Sequence, residues 1–287
     1  MPESITELYV QQYQNTMRML CQQKVSKLEG TTTPPVKVEG EYLYWERIGP
    51  SEAIDLPVRH SDTPNIEVDH SRRRSTATPK VWATLLSRAD AARMLVDPKG
   101  PYQETGRAAM NRAKDRIIIA ALGGSAWSGK NGTTEVALPA SQKIAAAGVG
   151  LTVGKILTAI EMFGLKEVDE EIQRYIVAAP QQKTNLLNTT EVTSADYNSV
   201  RALVDGKVNT FLGFTFIWST LLTKVATSRF CYAYIKTAIG YGNLEDITVR
   251  LTERADKNYE WQPYVSMDMG ASRIEDEMVI EIECTEV

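Results

Sequence analysis

Histidine and cysteine are scarce in this chain of 287 residues: two histidines, His60 and His70, and three cysteines, Cys21, Cys231 and Cys284. The cysteines are odd in number, far apart and free of any Cys-x-x-Cys pair, so they suggest neither a disulfide frame nor a zinc site. Both histidines fall in one short β-rich stretch. A Ser–His–Asp or Cys–His centre would have to be built there, on a segment with no pocket of its own. No His-Glu-x-x-His, Gly-x-Ser-x-Gly or Asp-x-Asp-x-Asp-Gly motif occurs. Long apolar runs are also missing. The most apolar one, Phe211 to Leu222, covers about twelve residues and contains Thr and Ser, against roughly twenty for a membrane span. The opening MPESITELYV has no basic region followed by an apolar run, so no secretory leader is expected, and the chain reads as a reduced, intracellular product. These absences predict no catalytic, cofactor-binding or metal-binding residues, no cofactor and no membrane contact.

What is present is an ordinary folded composition, 43% hydrophobic and 24% charged, with a net charge of −4. The total gives no electrostatic case for nucleic acid, but the distribution is uneven. Residues 70–120 carry eleven Lys and Arg against four acids, and residues 245–287 carry twelve acids against four bases. Segments of opposite sign suit surfaces that meet, and a basic segment meeting the acidic segment of a neighbouring copy is the expectation drawn from them. Ser71-Arg72-Arg73-Arg74-Ser75 could also touch phosphate.

One stretch imitates a nucleotide site. In GGSAWSGKNGTT, residues 123–134, Gly124 is followed by four residues and then Gly129-Lys130. A phosphate-cradling loop joins a buried strand to a helix and places Ser or Thr after the lysine. Here Asn131 takes that place, a helical pattern precedes, and the sequence that follows is not helical. A glycine-rich turn is the expected structure.

Residues 4–29 have apolar residues at helical spacing after a Ser4/Glu7 capping box, and Gly30 is placed to end that helix. TTTPPVKVEG then predicts an extended tether. Residues 41–86 read as short strands split by turn residues, with too little apolar content for a core, which predicts a projecting two-stranded arm. Residues 102–122 predict a long helix with Ala109, Met110, Ala113, Ile117, Ala120 and Ala121 on its buried stripe and Arg107, Lys114 and Asp115 off it. From 151 onward helical and strand patterns alternate: helices over TVGKILTAIEMFGLK, PQQKTNLLN and SADYNSVRALVDG, and strands over RYIVAAP and TFLGFTFIWS. Further strands cover EDITVRLTERAD, EWQPYVSMDMGASRI and EMVIEIECTEV. In the last, Met278, Ile280, Ile282 and Cys284 share one face, and Glu281 and Glu283 the other.

This order of texture resembles the major capsid proteins of tailed bacteriophages, the Hong Kong 97-type shell fold, over nearly the whole chain. The resemblance rests on MPESITELYV…KLEG, on EYLYWERIG to TPKVWATLLS, on SRADAARMLVDPKGPYQETGRAAMNRAKDRIIIAAL, and on RYIVAAPQQKTNLL. It is carried further by Gly206, Val208, Gly213 and Phe214 in GKVNTFLGFTFIWSTLL, and by Gly270, Ala271 and Arg273 in MGASRIEDEMVIEIE. It implies an α+β fold divided into an N-terminal arm (1–40), an E-loop β-hairpin (41–88) and a peripheral domain (89–149) with spine helix 102–122. An axial domain (150–240), return strands of the peripheral domain (241–269) and a C-terminal strand (270–287) complete it.

The function implied is structural, not enzymatic: self-assembly into hexamers and pentamers of an icosahedral head enclosing double-stranded DNA. The implied location is the virion capsid, after assembly in the bacterial host cytoplasm. The implied partners are further copies, a portal protein, a cement or decoration protein, and packaged DNA touched non-specifically. A separate scaffolding protein is expected as well, since no long N-terminal scaffolding region is seen. Some relatives weld subunits through a Lys–Asn bond with the lysine on the E-loop. Residues 48–79 contain no lysine, so a shell without covalent crosslinks is expected. The alternatives are an encapsulin-like compartment shell of the same fold, a nucleotide-binding enzyme using Gly124–Lys130, and a DNA-binding accessory protein.

Overall fold

The computed structural model describes residues 19–37, 39–55, 62–63, 65–94, 99–169, 171–188 and 210–286. The helix read over 4–29 has its first part outside these residues, as has the helix read in SADYNSVRALVDG. The strands are β1 (Val36–Lys37), β2 (Tyr42–Ile48), β3 (His70–Thr76), β4 (Thr78–Ala83), β5 (Ala126–Ser128), β6 (Thr134–Val136), β7 (Lys143–Ile144) and β8 (Arg174–Ala178). They continue with β9 (Thr210–Phe211), β10 (Phe214–Trp218), β11 (Lys224–Val225), β12 (Ser228–Ile235), β13 (Ile239–Arg254), β14 (Glu260–Arg273) and β15 (Val279–Thr285). The helices are α1 (Arg88–Arg93), α2 (Lys99–Gly123), α3 (Val153–Gly164) and α4 (Pro180–Leu187).

The chain divides into two compact units. One comprises Met1–Val25, Lys80–Arg112 and Ile247–Met267; the other Ser26–Pro79, Ala113–Asp246 and Asp268–Val287. In the first unit the early part of α2 lies against a strand of the sheet ordered β1-β13-β14-β4. The approach is close at Gly106: a Cβ there would stand 2.5 Å from the Trp82 ring and 2.7 Å from Val265 Cγ2. Gly106→Ala is therefore expected to lower the urea midpoint, with overpacking costing about 1–3 kcal/mol against a gain of about 1 kcal/mol in helix propensity.

The second unit holds a seven-stranded sheet, ordered β7-β15-β12-β8-β10-β9 with β11 beside β12. Strand β8 is parallel to β10 and antiparallel to β12. Tyr175, Ile176, Val177 and Ala178 are all buried, as a central strand covered on both faces requires. Helix α3, capped by Thr152, whose side chain accepts from Lys155 N, buries Ile156, Ala159 and Phe163. Pro180 opens α4, where a missing N–H costs nothing.

Three readings of the sequence need correction here. The run TFLGFTFIWS is two antiparallel strands, β9 and β10, turned at Leu212 (φ 51°) and Gly213 (φ 78°). The described residues between Ile48 and His70 form no strand, so the arm read over 41–86 is paired only between Tyr42–Ile48 and His70–Thr76; on β15, Glu281 is buried and pairs with Lys143 at 3.1 Å. The described end of the 4–29 segment, from residue 19 to Leu28, is not helical; its polar groups bond to α2 instead, as set out below.

At the end of β15 the buried Glu286 carboxylate accepts from Arg229 Nη2 and from Lys224 Nζ, both at 2.9 Å. Arg229 first, and Lys224 with it, hold this carboxyl below its ordinary value against the opposing pull of burial. A depressed folded pKa contributes stability that is complete above the unfolded value and is lost as pH falls through the folded one. Wild type should therefore lose stability below about pH 4. Glu286→Gln should be less stable at neutral pH and should converge with wild type in acid, as followed by thermal melts across pH.

Candidate assembly surfaces

Strands β2 and β3 form an antiparallel hairpin in register from Tyr42↔Thr76 to Ile48↔His70. Beyond its root, the described residues of 50–55 and 62–69 are exposed, apart from half-buried Val68. The hairpin sheet is widened by β5 and β6 in the order β2-β3-β5-β6, with Arg73 opposite Ser128 and Arg74 opposite Trp127. GGSAWSGKNGTT is thus a β-hairpin turned at Gly129 (φ 93°) and Gly132 (φ 61°). No helix N-terminus follows Lys130, so the backbone lacks the strand–loop–helix setting of a phosphate cradle.

Strand alternation sends the three arginines of β3 to different places. Arg72 lies 5.4 Å from the Tyr44 ring centroid and bonds Glu46 Oε1 at 2.7 Å. Arg74 lies 4.6 Å from the Tyr42 ring and 5.6 Å from that of Trp127. Arg73 points inward, is buried, and pairs with Asp276. Burial pulls its guanidinium below the ordinary value, and Asp276 pulls it back.

Asp276 is shared with a second buried arginine. Arg273, fully buried, donates Nε to Asp276 Oδ1 at 2.5 Å, Nη1 to Gly124 O at 2.7 Å and to Leu122 O at 3.2 Å, and Nη2 to Val136 O at 3.1 Å. The Leu122 and Gly124 carbonyls stand at the C-terminus of α2, where helix carbonyls lack partners and positive charge is favourable. One guanidinium thus ties together the helix end, strand β6 and, through Asp276, the root of the hairpin. The Gly270-Ala271-x-Arg273 stretch was singled out in the sequence, but not this role. The close seat of Gly270 against the Thr76 backbone is a second sign that the strand must pass tightly there.

The later part of α2 holds the N-terminal stretch. Buried Asp115 accepts from Ser26 Oγ at 2.6 Å, Lys27 N at 3.1 Å and Leu28 N at 3.2 Å. Buried Lys114 meets Glu29 at 3.0 Å and Asp246 at 3.4 Å. In the first unit, Asn111 donates to Lys24 O, Arg112 to Gln22 Oε1, and Lys24 pairs with Glu104. The expected stripe on α2 therefore holds at Met110, with Arg107 exposed off it, and fails elsewhere. Lys114 and Asp115, read as off it, are buried with Ala108, Met110, Ile118, Ile119 and Leu122, while Ala120 is exposed.

The basic and acidic segments meet within one chain, at Arg73–Asp276, Arg88–Glu253 and Lys114–Asp246. Reversing Arg72, Arg73 and Arg74 together would break internal contacts, so such a variant reports on folding before it reports on contact with a neighbouring copy. Among the described residues no group of three or more His, Cys, Asp or Glu is placed to hold a metal ion, and no helix is long and apolar enough to cross a membrane. Of the two histidines, His70 opens β3 and His60 lies outside the described residues.

Residues 5–286 match the model of a phage capsid protein family. The chain belongs to that family. The capsid of cyanophage P-SCSP1u shares its fold with TM-score 0.74 at 16% identity, covering 99% of this chain and 95% of the other. The head protein of Helicobacter pylori bacteriophage KHP40 gives 0.75 at 10% identity over 99% and 98%. The capsid of Ralstonia phage GP4 gives 0.74 at 10% identity over 98% and 96%. No curated protein sequence matches. This capsid protein is a structural component of a bacteriophage virion, and its mixed α+β architecture is the Hong Kong 97-type fold. Of the motif positions quoted for the resemblance, Gly213 and Phe214 turn into β10, Arg273 anchors α2, and Gly206 and Val208 lie outside the described residues.

Proposed function

We propose that this chain is a major capsid protein that closes an icosahedral head from hexamers and pentamers around double-stranded DNA, and that it has no enzymatic activity. The observation that carries this reading is the exposed hairpin arm. Glu52, Ile54, Asp55, Ile66 and Glu67 are all exposed there, and exposed apolar side chains on an extended segment gain stability from further packing. A neighbouring copy supplies that packing. Single interfaces of standard size bury about 1,600 Å² in total, and overlapping arms add further contacts that raise avidity.

In this reading residues 1–40 are the N-arm, 41–88 the E-loop, and α2 the spine of a peripheral domain built from 89–149 and 241–269. Residues 150–240 are the axial domain, and 270–287 the C-terminal strand. A scaffolding protein guides assembly in the host cytoplasm, a portal occupies one vertex, a cement protein decorates the shell, and packaged DNA is touched without sequence preference. Electron microscopy of the purified protein should show closed shells or ring-shaped capsomers; a monodisperse monomer at all concentrations would overturn the reading. The arm carries no lysine between 48 and 79, so boiled particles should run as monomer on denaturing gels. A ladder of higher bands would show covalent welding.

A further inference from the structure

The sheet ordered β2-β3-β5-β6 has two unlike faces. Register and alternation put Arg73, Ser75 and Ala126 on one face, where all three are buried. They put Tyr42, Tyr44, Arg72, Arg74 and Trp127 on the other. In sequence the arginines of 71–75 have no aromatic residue among them. Strand pairing supplies the rings. The Arg72 guanidinium lies over Tyr44, and that of Arg74 lies over Tyr42 and Trp127. Those contacts leave the outer rings open: Tyr42 is 37% and Trp127 38% exposed. Arg72 also lines, with Arg47, His70 and Lys130, a hollow of about 660 Å³ beside this face. Lys130 is exposed, with no carboxylate partner among the described residues.

We infer that this face binds unpaired nucleic acid, with bases stacked on Tyr42 and Trp127 and the backbone passing Arg72 and Arg74 toward Lys130. The inference goes beyond the shell reading, which gives packaged duplex DNA only non-specific contact, and does not depend on it. Aromatic rings set among cations stack successive bases and follow the backbone without reading sequence. The size of the charge selects a single strand over a duplex. Arg47, Arg72, Arg74 and Lys130 stand against Glu41, Glu46 and Glu135, and Glu46 already bonds Arg72. Four cations against three carboxylates leave an excess of one, whereas proteins held to duplex by its phosphates make roughly 6–10 such contacts. The rings must then carry the affinity, and a base offers its flat face only when unpaired. An acidic peptide would have to rely on the same small excess.

The test is binding of the full-length chain to fluorescent oligo(dT) and oligo(U) strands of about 12 nucleotides, and to a duplex of equal length. The strands are expected to bind at least ~5-fold tighter than the duplex. The tighter of the two strands names the source as DNA or RNA. Tyr42→Ala with Trp127→Ala should weaken strand binding at least ~10-fold. Tyr42→Phe with Trp127→Phe keeps both rings and should bind within about 3-fold of wild type. Lys130→Ala should flatten the logarithmic salt dependence by about 0.7, the share of one phosphate contact. Wild-type affinity in the double-alanine chain, or a duplex bound as tightly as the strands, overturns the inference. If that unchanged affinity comes with lost shell formation, the face belongs to a protein contact instead. Ultraviolet crosslinking of the wild-type chain to iodouracil-substituted strands gives a readout that no folding defect reaches. The crosslinked peptides should contain Tyr42, Tyr44 or Trp127; crosslinks found only elsewhere overturn the inference.

Discussion

Arg273→Met is expected to leave little folded protein. The guanidinium is fully buried and satisfies three carbonyl oxygens and one carboxylate. Removing it leaves the carbonyls of Leu122, Gly124 and Val136 without that donor and leaves Asp276 with Arg73 alone. Breaking a buried ion pair from one side costs about 3–5 kcal/mol, and each buried acceptor left unmade adds about 1–3 kcal/mol. Whole domains are stable by only about 5–15 kcal/mol, so the expected outcome is loss of soluble protein or a collapse of the melting transition. Arg273→Lys is the informative companion. Lysine keeps the charge, but a single ammonium cannot reproduce a fork reaching four oxygens on three segments. It should be soluble yet destabilised by about 2–4 kcal/mol. Wild-type stability in Arg273→Lys would show that charge alone, and not the fork, anchors the helix end.

The second large effect is expected from Asp115→Leu. Its carboxylate accepts two backbone N–H groups and one hydroxyl from residues 26–28. Hydrogen bonds to a charged group contribute about 1.5–3 kcal/mol each, so losing the set should cost about 3–4 kcal/mol after relaxation. The loss should be local as well as global. Leu28, buried in wild type, would be released with its neighbours, and trypsin should cut after Lys27 at least ~10-fold faster, as local opening becomes cheaper. Lys24→Met serves as the control. The Lys24–Glu104 pair is half exposed on both sides, and such pairs contribute about 0–1 kcal/mol. Equal protection from trypsin in Asp115→Leu and wild type would show that other contacts hold the stretch.

Both predictions concern residues whose importance was hard to see in the sequence, and the reason is the same. Period and punctuation are local signals. Apolar spacing from 102 to 122, bounded by Pro101 and Gly123-Gly124, announces α2; Gly213 and the glycines of residues 123–134 mark turns; β-branched and aromatic runs announce β8 and β15. Pattern reading assigns a charged residue to water, because an unpaired buried charge is expensive. It therefore placed Lys114 and Asp115 off the buried stripe of α2. Each is buried because an opposite charge or a row of backbone donors, distant in sequence, reaches it. Asp115 and Ser26 are 89 residues apart, and Arg73 and Asp276 are 203 apart. Lys155, in the first turn of α3, is buried in the same way, donating to the carbonyls of Ala146, Val149 and Glu283.

The stretch around Lys130 shows the same division. The sequence alone excluded a phosphate cradle, since Asn131 follows the lysine and no helical pattern comes after it. That argument left Lys130 as an isolated surface charge. Strand pairing of β5 with β3 brings the turn beside Arg47 and Arg72, and a basic hollow results. The amino-acid order by itself determined that α2, α3, α4, β8 and β15 form and, through its resemblance, the family. Tertiary structure alone decided which charges are spent inside the fold and which remain on its surface. Charge pairing acts across space between segments far apart in the chain, and a local period carries no record of it.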